Sequence, residues 1–152
     1  MLRRLLDLPR LLEIAYAATE RLLGLFRRWL LPGGWVECAF IEGESVSKVP
    51  LFDCRMCGQC VLHSTGMTCP MTCPKNLRNG PCGGVRPDGH CEIIPEMPCI
   101  WVAAWERSKH MSGSGAEMRT MLPPLDRRLQ GRSAWVNHFT GIARRSPVGW
   151  RH

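Results

Sequence analysis

No run of apolar residues in this 152-residue chain approaches the roughly 18 that a membrane-spanning helix needs, so a spanning segment is not expected. A secretory leader is not expected either. Asp7, Glu13, Glu20 and Arg21 interrupt what would have to be its apolar stretch, and no small-residue cleavage site follows. The glycine fingerprint of a dinucleotide site is missing, and no isolated cysteine stands beside a histidine–acid pair that would activate it as a nucleophile. Large apolar side chains are also scarce between residues 54 and 99, where Gly, Pro, Asn and Thr take their place. Such a segment cannot offset its conformational entropy by burial alone and needs cross-links or metal. Without a leader, a reducing cytoplasmic compartment is expected, where clustered thiols mean metal more often than disulfides.

What is abundant is cysteine. Eight of the nine fall in the 46 residues from Cys54 to Cys99: Cys54, Cys57, Cys60, Cys69, Cys73, Cys82, Cys91 and Cys99. The first three form C-x-x-C-x-x-C, a spacing that lets one short loop bring three thiolates to one face of a cubane. Gly58 gives the backbone room to pass close by. Cys69 and Cys73 are each followed by proline, and Gly80-Pro81-Cys82-Gly83-Gly84 offers one thiol among residues without bulk.

Eight thiolates satisfy two four-cysteine sites, and two [4Fe–4S] clusters are the preferred reading. Two structural zinc ions are the alternative, although zinc sites commonly pair two C-x-x-C knuckles, and here a triplet precedes scattered singles. His63 and His90 read as surface or supporting residues, because enough cysteines exist without them. Cys38, sixteen residues ahead of the cluster, reads as a small buried hydrophobe.

The net charge of +7 belongs to the ends. Residues 1–35 carry +3, residues 36–110 carry −1 and residues 111–152 carry +5. A near-neutral cysteine segment argues against nucleic acid as its partner.

Along the chain, three regions are expected. Residues 1–34 read as a long amphipathic helix of roughly 36 Å. Asp7 caps it, Pro9 lies in its first turn and Pro32-Gly33-Gly34 stops it. Leu8, Leu12, Ala15, Leu22, Leu23, Phe26, Trp29 and Leu30 fall on one side of it, with Arg10, Glu13, Glu20, Arg21, Arg27 and Arg28 on the other. Docking on a larger protein is the favoured use of this helix, ahead of packing on its own chain. In-plane membrane contact is a third use, against which Glu13 and Glu20 count.

Residues 35–109 read as a loop-rich, metal-stabilised cysteine module with short helices and strands. Strands are expected at 35–41 and 46–49, and a helix at 100–107 with Trp101, Ala104 and Trp105 on one packed face. Residues 110–152 read as a flexible linker and an extended basic tail.

The strings CRMCGQC, TCP, TCPK, LRNGPCGG, HCE and PCIWV followed by WER resemble the cysteine-rich module of methylenetetrahydrofolate reductases, over roughly Phe52 to Lys109. In that family the module is either a C-terminal extension of the reductase or a separate small subunit beside it. The resemblance implies an accessory role in one-carbon metabolism with no catalytic residue in this chain. It also implies a partner subunit with a (β/α)₈ barrel that carries FMN, and a ferredoxin-like electron donor. Family members are described as zinc-binding as well as iron–sulfur, so a redox-inactive zinc scaffold is a second reading. A membrane- or RNA-associated adaptor, resting on the arginine-rich ends, is a third.

Overall fold

Pro9 opens the first helix, in the position where a missing N–H costs nothing, and α1 runs Pro9–Leu25. The computed structural model describes residues 8–150, so the expected cap Asp7 lies outside the described residues. The helix stops at Leu25 instead of continuing to Leu31. Beyond it the chain tightens into overlapping turns, in which Trp29 N–H donates to Phe26 C=O (2.8 Å) and Leu30 N–H to Arg27 C=O (3.3 Å).

The apolar side is divided: Leu30 is buried and Leu12 and Leu23 are partly covered, whereas Leu8, Ala15, Leu22, Phe26 and Trp29 are exposed. Glu13 and Glu20, on the polar side, have partners within the chain. The Glu13 carboxylate accepts the N–H groups of Ser112 (2.7 Å) and Gly113 (3.0 Å), and Glu20 lies 2.9 Å from His138 Nε2. Specific polar partners decide the rotation of α1, and periodicity carries no information about them.

Residues 35–52 correct a second expectation. In place of two strands they form one helix, α2 (Trp35–Phe52). At its start Glu37, three residues into the helix, reaches back past the cap Gly34 to accept the N–H of Gly33 at 2.5 Å. At its end Asp53 takes the left-handed conformation that Asx residues tolerate. Its buried residues are Glu37, Glu44 and Lys48, spaced 7 and 4 apart on one helical face. The β-favouring Val46 and Val49 point to solvent. Local propensity loses because the buried polar face has partners and a strand would separate them.

Two further helices follow, α3 (Ile100–Ser108) and α4 (Ala134–Phe139), with 3₁₀ turns at Pro70–Thr72, Ser114–Arg119, Arg127–Leu129 and Ile142–Arg144. The chain is thus helical, and among the described residues extended pairing is limited to an antiparallel bridge between His90 and Pro98. No helix among the described residues is long and apolar enough to cross a membrane.

The fold divides into two compact units. One takes in the described parts of Met1–Ile14 and Val61–Met121; the other takes in the described parts of Ala15–Cys60 and Leu122–His152.

The first unit is built on α3, whose Trp101 and Ala104 are buried as expected, while Trp105 is partly exposed beneath Lys109 and Arg119. Trp101 Nε1 donates to Leu77 C=O at 3.1 Å, so the indole is anchored at both its apolar and its polar part. Gly66 (φ +59°) lies so close to α3 that a Cβ there would sit 2.8 Å from Ser108 N and 2.9 Å from Ala104 O. The expected linker at 111–115 is tied down through Ser112 and Gly113 to Glu13.

In the second unit the expected extended tail is ordered. Leu129, Ala134, Trp135, Val136 and Asn137 are buried. Ser133 caps α4 by accepting the N–H of Val136 at 3.2 Å. Trp135 packs against Tyr16, with ring centroids 4.8 Å apart and planes tilted by 31°. Leu30 joins this unit's core at 2% exposure. Cys38, expected to be buried, is exposed on α2.

Candidate functional site

The eight cysteines fall three in one unit and five in the other. In the second unit the loop after α2 carries Cys54, Cys57 and Cys60. It is tightly wound, with positive φ at Asp53 (49°), Met56 (47°) and Gly58 (72°), and the N–H of Met56 points at Cys54 Sγ, 3.4 Å away. Backbone N–H groups turned on sulfur are the usual environment of a ligating thiolate.

Five hydrogen bonds splint this loop to the C-terminal segment. Gly131 N–H donates to Met56 C=O (2.8 Å), Gln130 Nε2 to Arg55 C=O (2.5 Å), and Asn137 Nδ2 to Gly58 C=O (2.9 Å). Gln59, at 1% exposure, donates to Ala143 C=O (3.1 Å) and accepts Asp126 N–H (2.8 Å). Gly58 is required sterically, because a Cβ there would meet Leu129 C=O at 2.2 Å.

Beside the loop lies a buried ionic cluster. Glu44 pairs with Lys48 at 2.7 Å and accepts from Ser133 Oγ (2.5 Å) and Trp135 N–H (3.1 Å). Lys48 Nζ also sits 5.1 Å from the centre of the Trp135 ring. Burial works against the Lys48 charge, but Cys60, Glu44 and Cys54 together outweigh it, and its pKa is held above the usual lysine value. A fixed positive charge therefore stands within electrostatic reach of two of the candidate thiols.

A second pair, Glu37 with Arg132, is bidentate at 3.0 Å and 3.0 Å. The Arg132 guanidinium holds Glu37 below its ordinary pKa, against the opposing effect of burial.

In the first unit Cys69 begins the Pro70–Thr72 turn and Cys73 ends it. Cys91 and Cys99 lie on the two arms joined at the His90–Pro98 bridge, where Cys91 N–H donates to Met97 C=O (2.9 Å) and Cys99 N–H to Gly89 C=O (2.9 Å). Cys99 also begins α3. Cys57, Cys69, Cys91 and Cys99 are buried, and Cys73 and Cys82 are half-buried. Cys82 Sγ lies 3.6 Å from Glu92, which is paired with Lys75. His63 contacts Glu117 (3.2 Å), and His90 is turned to Asp88.

Soft thiolate donors in this number suit zinc or an iron–sulfur cluster. The placement of the side chains does not yet make a cage. Among the described residues no three Cys, His, Asp or Glu side chains stand close enough to hold a metal ion.

Sequence reasoning did not find Lys48, Glu44, Gln59, Gln130 or Asn137. The spacing of Glu37, Glu44 and Lys48 was a usable signal for the ionic face. Nothing local marks Gln130 or Asn137, whose partners are backbone carbonyls 75 and 79 positions away.

Taken together, the fold and the thiol-bearing loops define a small, mainly helical, cysteine-rich module. Residues 34–128 match the family described as the C terminal of methylene-tetrahydrofolate reductase, and the chain belongs to that family. The matched span contains α2, all eight clustered cysteines and α3, and ends just before the segment that supplies Gln130, Gly131 and Asn137. No curated protein and no solved structure matches the chain.

Proposed function

We propose that this chain is an accessory module of a methylenetetrahydrofolate reductase in one-carbon metabolism, and that Cys54, Cys57, Cys60, Cys69, Cys73, Cys82, Cys91 and Cys99 take up metal. The observation that carries this reading is that the family match spans all eight thiols. The ordered loop around Cys57, with an N–H aimed at Cys54 Sγ, supports it. The partner in this reading is a flavin-carrying (β/α)₈ catalytic subunit.

Two [4Fe–4S] clusters are the preferred occupants, because a closely spaced triplet suits a cubane face better than a zinc knuckle. Bound clusters would supply one-electron chemistry between a ferredoxin-like donor and the partner's flavin. Bound zinc would only fold the loops. The chain's own residues hold and orient the thiols: Asn137, Gln130 and Gly131 fix the triplet loop, and the His90–Pro98 bridge holds Cys91 and Cys99.

Metal and acid-labile sulfide analysis of anaerobically isolated protein tests the proposal. About eight iron atoms with matching sulfide supports the cluster form, and about two zinc atoms without visible absorbance supports the scaffold form. Cys57→Ser and Cys82→Ser each lower the metal content in either form. Protein that binds neither metal, and whose two serine variants are indistinguishable from it, refutes the metal-binding role. Failure to co-purify with the catalytic subunit refutes the accessory role.

A further inference from the structure

Residues 21–36 hold three arginines and no acid. Within this stretch of the second unit Leu22, Leu25, Phe26, Trp29, Leu31 and Trp35 are all exposed, from 54% at Phe26 to 82% at Trp35. Isolated exposed apolar side chains are ordinary, but six within fourteen residues mark a contact surface. Arg21, Arg27 and Arg28 on the same stretch are exposed as well.

The display is built on an ordered support. Leu30 is buried as a pin. Consecutive turns run from Leu23 to Leu31, and Gly33 N–H is held by Glu37, itself clamped by Arg132.

We propose that residues 21–36 are an in-plane anchor for an anionic phospholipid surface. Leucine and phenylalanine suit the acyl boundary, and tryptophan suits the headgroup level with its ring in apolar and its N–H in polar surroundings. The uniform sign selects the occupant. An anionic bilayer offers phosphate along the whole stretch, so the arginines need no acid from the protein. The acids that flank the stretch are spoken for, Glu20 by His138 and Glu37 by Arg132. Because no described helix can cross a membrane, the contact lies on the surface. It is independent of the metal-binding and reductase proposals.

The test is sedimentation of the full-length protein with vesicles of phosphatidylglycerol mixed with phosphatidylcholine, compared with phosphatidylcholine alone. Binding is expected to the anionic vesicles and to weaken as salt rises. Each arginine near such a surface is worth about fivefold in binding, so Arg27→Gln with Arg28→Gln weakens it about 30-fold. Trp29→Ser with Trp35→Ser removes binding. Both pairs of side chains are exposed, so unchanged far-ultraviolet circular dichroism verifies that the variants are folded. Absence of anionic-vesicle binding by the unaltered protein overturns the proposal. So does binding that all four substitutions leave unchanged. Capture of a protein partner through Trp29 and Trp35, with no vesicle binding, overturns it too.

Discussion

The close approach of Gly58 to Leu129 makes a matched pair of alanine substitutions informative. Gly58 and Gly131 belong to the same unit and have nearly the same backbone conformation, with φ of 72° and 79°. Either substitution by alanine therefore incurs the left-handed strain of an L-residue, about 1–2 kcal/mol. The surroundings differ. A Cβ at Gly131 meets nothing within 4 Å, whereas one at Gly58 meets Leu129 C=O at 2.2 Å and Asn137 Nδ2 at 3.0 Å. Main chain cannot swing aside like the end of a flexible side chain, so Gly58→Ala must push the C-terminal segment off the loop. That endangers the Asn137–Gly58 and Gly131–Met56 hydrogen bonds, and a buried polar group left unpaired costs about 1–3 kcal/mol. The expected losses are about 2–5 kcal/mol for Gly58→Ala and about 1–2 kcal/mol for Gly131→Ala. Urea unfolding followed by tryptophan fluorescence measures both, since Trp135 lies in this unit's core. The rate at which a thiol reagent labels Cys57 reports the loop directly and rises only in Gly58→Ala. Equal destabilisation by the two variants, with equal labelling of Cys57, would refute the splint.

Three more outcomes follow from the described contacts. Glu44→Gln leaves the Lys48 charge buried without its counter-ion and lowers unfolding free energy by about 3–5 kcal/mol, seen as a large drop in Tm. Glu37 has a folded pKa below that of an unfolded glutamate, about 4.3. Its contribution is therefore complete at neutral pH and lost as pH falls from that value through the lower folded one. Glu37→Gln should lower stability at neutral pH and flatten the acid side of the stability–pH curve. If Cys54–Cys99 hold the metal, Cys38→Ser leaves metal content unchanged, because Cys38 is exposed near the start of α2, at the opposite end of that helix from the triplet loop. A parallel loss of metal in that variant would enlarge the ligand set.

The family was legible because the cysteine spacing and its neighbouring residues are local in the sequence. The family match covers the stretch where that pattern lies. Helix α3 was legible for a similar reason, since Trp101 and Ala104 repeat at helical spacing within nine residues. Helix α2 was misread because Val36, Phe40, Ile41, Val46 and Val49 favour strands. Its state is set instead by the polar line of Glu37, Glu44 and Lys48 and by donors from residues 132–135. The C-terminal segment was misjudged because its basic, proline-punctuated composition resembles a solvated tail. Two of the bonds that hold it, from Gln130 and Asn137, run to main-chain carbonyls, whose positions a sequence does not advertise.

The separation of loop and splint along the chain also sets an order of events during synthesis. Asn137 is added 79 positions after Gly58, an interval of about 4–16 s at ordinary translation speeds. Through that interval Cys54, Cys57 and Cys60 have been made but nothing holds their loop shut. Whatever must reach these thiols from outside meets an open loop early, and residues 126–143 act as the bolt that closes behind it.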